Sequence, residues 1–196
     1  QESELRAGTV LRGRVSPDQL NSLAQSRAVL WIEPAPDIKL FDEVASRIVA
    51  GNGPPGHTLV QSLGFDGTGV TVAVADSGLD SGDTNSMHPD IQGRVKALFY
   101  YGAPGQLDDA ADEHSHGTHV AGIVAGNGAT GETDENSFLY GLGVAPGAGL
   151  IGQRIFDGVG GYAAPPSFEQ LTRDAKRAGA DIGSNSWGDD THGRYD

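Results

Sequence analysis

GVTVAVADSG, from Gly69 to Gly78, decides how the rest of the chain is read. Val70, Val72, Ala73, Val74 and Ala75 are apolar almost without a break, and the run stops abruptly at Asp76, Ser77 and Gly78. A strand with one wet face alternates apolar and polar residues. One covered on both faces does not, so this segment belongs inside a parallel sheet with helices on either side. RVKALFYY (Arg94–Tyr101), GLIGQRIF (Gly149–Phe156) and DIGSNSW (Asp181–Trp187) predict three further strands. GTHVAGIVAG (Gly117–Gly126) is small and apolar, as a tightly packed helix requires. PSFEQLTRDAKRAGA (Pro166–Ala180) predicts an amphipathic helix. In it Ser167 and Gln170 form a capping box, Phe168, Leu171 and Ala175 the apolar face, and Gly179 the C-terminal stop. Strands alternating with helices imply an α/β fold with a mostly parallel, doubly wound sheet.

Upstream of this run the pattern changes. Residues 1–36 read as a small β-α-β unit of their own. GTVLRGRV (Gly8–Val15) is a loose strand, SPDQLNSLAQS (Ser16–Ser26) a helix, and AVLWIEP (Ala28–Pro34) a second strand stopped by Pro34 and Pro36. Ser16 is the expected N-cap, Pro17 the first helical residue and Gln19 the other half of a capping box, with Leu20, Leu23 and Ala24 on one apolar face. A unit this small buries too little surface to stand alone. NGPPG (Asn52–Gly56) closes a turn-rich linker over residues 37–56, and residues 57–196 form the main domain.

Composition narrows the function. The 196 residues suffice for one ordinary domain and an appendage, and the net charge of −13 disfavours nucleic acid and anionic membranes as partners. The chain has no cysteine, which excludes disulfides, a thiol nucleophile and thiolate metal sites. No run approaches the ~18 apolar residues of a membrane span. Thirty glycines imply many tight turns, and nothing repeats at a fixed period.

In a parallel sheet, polar residues at the carboxyl ends of strands collect the chemistry. Asp76 is such a residue, although an isolated aspartate there often does no more than cap a turn. HSHGTHVAG (His114–Gly122) supplies the missing partner. His116 stands where a helix begins, and the positive end of a helix keeps imidazole neutral, as a general base must be. Such a base needs an acid to fix its tautomer and to stabilise its charged form, and Asp76 fits that role. His119, one turn into the helix, reads as a packing or hydrogen-bonding residue. His114 reads as solvated, in the acidic loop of Asp108, Asp109, Asp112 and Glu113. A metal reading competes, since His114, His116 and His119 have ligand-like spacing similar to the H-x-H-x-D-H run of metallo-β-lactamase-type hydrolases. Thr118 stands at the aspartate position of that run, and the Gly69–Gly78 strand would have no part in such a site.

Taken together these motifs resemble those of the subtilisin-like serine proteases (subtilases, peptidase family S8). VAVADSGLD (Val72–Asp80) is similar to the family's catalytic-aspartate motif and HGTHVAG (His116–Gly122) to its histidine motif, in the family's chain order. GVAPGA (Gly143–Ala148) resembles the segment that precedes the next strand. NSWG (Asn185–Gly188) resembles the strand that walls the S1 pocket. The resemblance implies that Ser186, Trp187 and Gly188 pair with the substrate backbone on one side. It places Gly158, Val159 and Gly160 of DGVGGY on the other, with the substrate lying between them as an added strand. It also implies that residues 1–36 resemble the end of a propeptide whose tail fills the cleft before cleavage somewhere in APDIKLFDE (Ala35–Glu43).

No G-T-S-M-A-like motif follows within these residues. The resemblance therefore puts the nucleophilic serine and the oxyanion asparagine beyond Asp196, and the 196-residue chain alone is expected to be inactive. Ser77, Ser115 and Ser186 are not substitutes. The expectations are then a secreted, monomeric endopeptidase made as a zymogen. Its partners would be polypeptide substrates and its own propeptide, with neither nucleic acid nor membrane. No cofactor would serve catalysis, and the acidic loop Gly126–Gly141 leaves room for structural calcium. A non-catalytic binding module on the same fold and an inhibitory prodomain fragment are the alternatives, and neither gives Asp76 and His116 a role.

Overall fold

The computed structural model describes residues 2–5, 8–11, 13–33, 38–40, 58–102, 106–133, 139–162 and 166–189. The chain divides into two compact units, Gln1–Asp37 with Asp189–Asp196, and Ile38–Gly188. Most of the expected linker, residues 37 and 41–56, lies outside the described residues.

In the first unit β1 (Glu2–Leu5) and β2 (Gly8–Leu11) pair antiparallel, with Leu5 opposite Gly8. Helix α1 (Pro17–Ala24) follows, with Pro17 in its first turn as expected. Two expectations fail here. Ser16 is extended, as an N-cap residue should be, but its side chain makes no capping bond. AVLWIEP is not a strand: turns and irregular backbone run through residues 27–33, and Leu30 and Trp31 are 81% and 78% exposed. Strand propensity expresses packing against neighbours, and of residues 28–33 only Val29 is even half-buried. The unit is therefore a hairpin and a helix, not β-α-β. Strand β1 was not anticipated.

The second unit is built as the Gly69–Gly78 run demands. Strands β4 (Thr71–Asp76), β5 (Val95–Tyr100), β6 (Gly149–Arg154) and β7 (Ile182–Ser184) form one parallel sheet in the order β5-β6-β4-β7. All six residues of β4 are buried. Helix α2 (Leu59–Ser62) precedes the sheet, capped by Thr58, whose side chain accepts from Gln61 N–H at 3.3 Å. Helix α3 (His116–Ala125) covers one face, where Val120, Ala121 and Ala125 pack with Val72, Val74 and Leu150. Helix α4 (Phe168–Arg177) covers the other, where Ala175 packs with Ala73 and Ile151. Alternate residues of β4 thus feed two cores, which is why everything between Thr71 and Asp76 is apolar.

Helix α4 starts with the Ser167 half of the expected capping box, Ser167 Oγ accepting from Gln170 N–H at 3.1 Å, and Gly179 follows its end at φ +92°. Leu171 and Ala175 are buried, but Phe168 is 61% exposed. It lies in the first turn and stacks flat on Trp187, 5.6 Å away and 10° from parallel, rather than entering the core. DIGSNSW is likewise not one strand. Pairing with β4 ends at Val74–Ser184, and the chain resumes as β8 (Trp187–Asp189), which pairs with β3 (Ile38–Leu40). Where the β4–β7 ladder stops, the Trp187 indole N–H donates to Ala75 C=O at 2.6 Å and satisfies the carbonyl that strand pairing leaves open.

Candidate active site

Strand β4 delivers Asp76 to the carboxyl edge of the sheet fully buried, with Ser77 buried beside it. His116 is the first residue of α3, and its side chain is only 8% exposed. Its Nδ1 lies 2.8 Å from Asp76 Oδ1, which also accepts Ser77 N–H at 2.7 Å. The other oxygen, Oδ2, is buried without a partner among the described residues. Burial pushes the Asp76 carboxyl above its ordinary range, against the opposing pull of the His116 and Ser77 donors. A carboxylate so poorly solvated gains when a positive charge forms next to it. A neutral imidazole that donates a hydrogen bond from its Nδ1–H to Asp76 carries its lone pair on Nε2, the form a general base needs.

Two glycines let the elements approach this closely. Gly78 has φ +131°, and a methyl group there would lie 2.5 Å from Ala111 O and 2.8 Å from Asp112 Cα. Gly117 packs its Cα face on the Gly78 backbone, and a methyl group there would also come within 3.1 Å of Asp76 Cβ. The D-S-G and H-G-T runs are thus two halves of one contact.

His114 is exposed as expected, with its ring centroid 6.3 Å from that of His116. His119 is exposed too, which overturns only the packing half of the expectation that it packs or hydrogen-bonds: α3 turns residues 117, 120 and 121 toward the sheet and leaves 119 on the outer side. Among the described residues no three His, Asp or Glu side chains are arranged to hold a metal ion. Part of the acidic loop proposed for calcium, residues 134–138, lies outside the described residues.

Gly158, Val159 and Gly160 form the turn after β6. Asp157 holds that turn, its Oδ1 accepting from Val159 N–H at 3.0 Å and Gly161 N–H at 2.7 Å, while the Val159 side chain is 88% exposed. Ser186, Trp187 and Gly188 are half-buried at β8. Trp187 ties the two segments together through Phe156 and Tyr162, whose ring centroids each lie 6.1 Å from its own.

The sequence assigns no role to the acids around His114, and the structure gives them one. Arg154, opposite Asp76 in the register and 3% exposed, binds Asp109 at 2.8 Å and Glu113 at 2.6 Å. Asp112 is half-buried and takes hydrogen bonds from several elements of the site. Composition hides this, because a run of acids looks like a solvated loop. The available signal was spacing: Asp112 stands six residues before Thr118, at the third position of α3, within reach of the helix start.

The subtilase family model matches residues 67–196, which takes in β4 to β8. The chain is 31% identical over 179 residues to alkaline elastase YaB of Bacillus sp. (strain YaB), covering 91% of this chain and 41% of that protein. It is 39% identical over 101 residues to subtilisin E of Bacillus subtilis (strain 168), covering 52% of this chain and 22% of that one. Identity to an alkaline protease of Shouchella clausii is 31% over 180 residues, 91% of this chain and 41% of the relative. The chain therefore spans less than half the length of these curated relatives. With both site motifs inside the matched region and the parallel sheet built as they require, the chain belongs to the subtilase family.

Proposed function

We propose that this chain is part of a serine endopeptidase, in which Asp76 and His116 are two members of an Asp-His-Ser triad and the serine lies C-terminal to Asp196. The observation that carries the reading is the 2.8 Å bond between His116 Nδ1 and a fully buried Asp76. His116 takes the proton of the serine hydroxyl as it attacks the peptide carbonyl and returns it to the leaving amine. Asp76 holds the imidazole and stabilises its charged form. Ser77 has no such role: its hydroxyl donates to Asp112 at 2.7 Å and accepts from Gly117 N–H at 2.9 Å. The oxyanion would be held by an asparagine side chain and backbone N–H groups outside these residues.

The substrate runs between Gly158–Gly160 and Ser186–Gly188 as an added strand. The pairing of Ile38–Leu40 with Trp187–Asp189 supports this reading, since an extended segment already sits on that edge. It equally supports a prosegment whose tail fills the cleft before cleavage in residues 35–43. A secreted, monomeric zymogen completes the proposal. No helix among the described residues is long and apolar enough to cross a membrane. Extending the reading frame past Asp196 and assaying the product on a chromogenic peptide tests it. A downstream serine with hydrolysis is expected. A stop codon, or a full product without hydrolysis, overturns it.

A further inference from the structure

We infer that Asp112 is a positioning residue for His116, acting as the cap of the helix that His116 begins. This rests on the reading of His116 as the catalytic base.

Helix α3 lacks the cap that a helix start normally has. Its N-cap residue, Ser115, is left-handed at φ +76°, and its side chain makes no capping bond. A non-glycine residue persists there only when its surroundings hold it. Asp112 does the holding. Oδ1 accepts from Ser115 N–H at 2.8 Å, His114 N–H at 3.2 Å and the Ser77 hydroxyl at 2.7 Å. Oδ2 accepts from Thr118 N–H at 2.7 Å and from the Thr118 hydroxyl. Five donors from three segments thus converge on one carboxylate, and they pull it below the ordinary carboxyl range despite its burial.

Those segments are the two halves of the site. Ser77 follows Asp76 directly and passes the connection on, its oxygen accepting from Gly117 N–H. Thr118 Oγ1 accepts from Asp80 N–H at 2.8 Å, and Asp112 N–H donates to Asp80 C=O at 2.8 Å. Asp76 holds the His116 ring, while Asp112 fixes the backbone from which that ring projects and locks it to the loop carrying Asp76. An asparagine at 112 offers one acceptor oxygen in place of two and aims an N–H₂ at the remaining donors.

The test uses the full-length protease with Asp112→Asn, with Thr58→Ala as control. The control also removes a helix cap, at α2. Two quantities are read: kcat and KM on a peptide, and exchange of the His116 Nδ1 proton by NMR. For Asp112→Asn, kcat falls roughly 10- to 100-fold at unchanged KM, the scale of an ångström-sized misplacement, and the imidazole proton exchanges at least about tenfold faster. Thr58→Ala changes neither. Wild-type kcat and exchange in a folded Asp112→Asn protein overturn the inference, as does an equal loss in Thr58→Ala. If Asp112→Asn does not fold, Thr118→Val removes one of the five donors. A smaller loss in the same direction supports the inference, and no change refutes it. If the wild type hydrolyses no peptide, the proposed function has failed, and the imidazole measurement still decides the role of Asp112.

Discussion

Replacing Gly78 by alanine should damage both fold and catalysis, and two other glycines calibrate how much. The added methyl meets backbone on one side, with Ala111 O at 2.5 Å, Ala111 C at 2.7 Å and Asp112 Cα at 2.8 Å. Restoring an ordinary 3.4 Å contact needs a shift of about 0.6–0.9 Å in the segment leading to His116, and displacements near 1 Å cost on the order of 100-fold in rate. Crowding of a packed site costs about 1–3 kcal/mol, and a left-handed φ adds about 1–2 kcal/mol. The expected destabilisation is therefore roughly 2–5 kcal/mol. Gly69 also has positive φ, +88°, but nothing lies within 4 Å of its added methyl. Gly69→Ala should show only the strain, about 1–2 kcal/mol. Gly122 sits inside α3 with neither problem, so Gly122→Ala should stabilise by about 0.4–1 kcal/mol. Urea unfolding of the three variants, with peptide hydrolysis by the full-length protein, gives the series. Equal stability of Gly78→Ala and Gly69→Ala, or an unimpaired rate in Gly78→Ala, would refute the close-approach argument.

Asp76→Asn should cut hydrolysis by roughly 10⁴-fold, as the wrong imidazole tautomer is then held. The same substitution should leave stability at pH 7 unchanged or higher. The buried carboxyl has a raised pKa, so its ionised form costs folding energy above that pKa, and the cost fades as pH falls through it. A clear loss of stability at pH 7, measured by urea unfolding, would contradict this. For Asp112 the sign is opposite. Its folded pKa lies below the ordinary carboxyl value, so its stabilisation is complete above about pH 5 and is lost as pH falls through the folded value. Asp112→Asn should lose about 1–2 kcal/mol at pH 7 and show a flatter stability profile below pH 4, read by thermal unfolding across pH. Trp187→Phe keeps the stack on Phe168 but leaves Ala75 C=O buried without its donor. That should cost about 1–3 kcal/mol, and a neutral result in urea would remove the bond from the account.

The sheet was legible because a strand buried on both faces leaves an unbroken apolar run, and β4 has one. Asp76 and His116 were legible because a polar residue ending such a run and a histidine starting a helix are local features with one chemical use together. The failures share a different cause. AVLWIEP has strand-forming residues, but no neighbour realises them in residues 28–33. DIGSNSW breaks because its ladder with β4 stops at Val74–Ser184, before β4 itself ends, and the indole of Trp187 then replaces a strand contact, a fact about three dimensions that the apolar pattern does not carry. Arg154 was hidden for the same reason, since Asp109 and Glu113, which bind it, are distant in sequence. Asp112 was hidden although most of its donors are close by, because the Ser77 hydroxyl that ties it to the end of β4 is not.

The central claim is that His116 serves a serine nucleophile through Asp76. Labelling the full-length protein with a fluorophosphonate, which reacts with activated serines, tests it most directly. The account predicts one labelled serine, C-terminal to Asp196, and its loss in His116→Ala. Peptide hydrolysis that survives His116→Ala, or that a metal chelator abolishes while no serine is labelled, would contradict it.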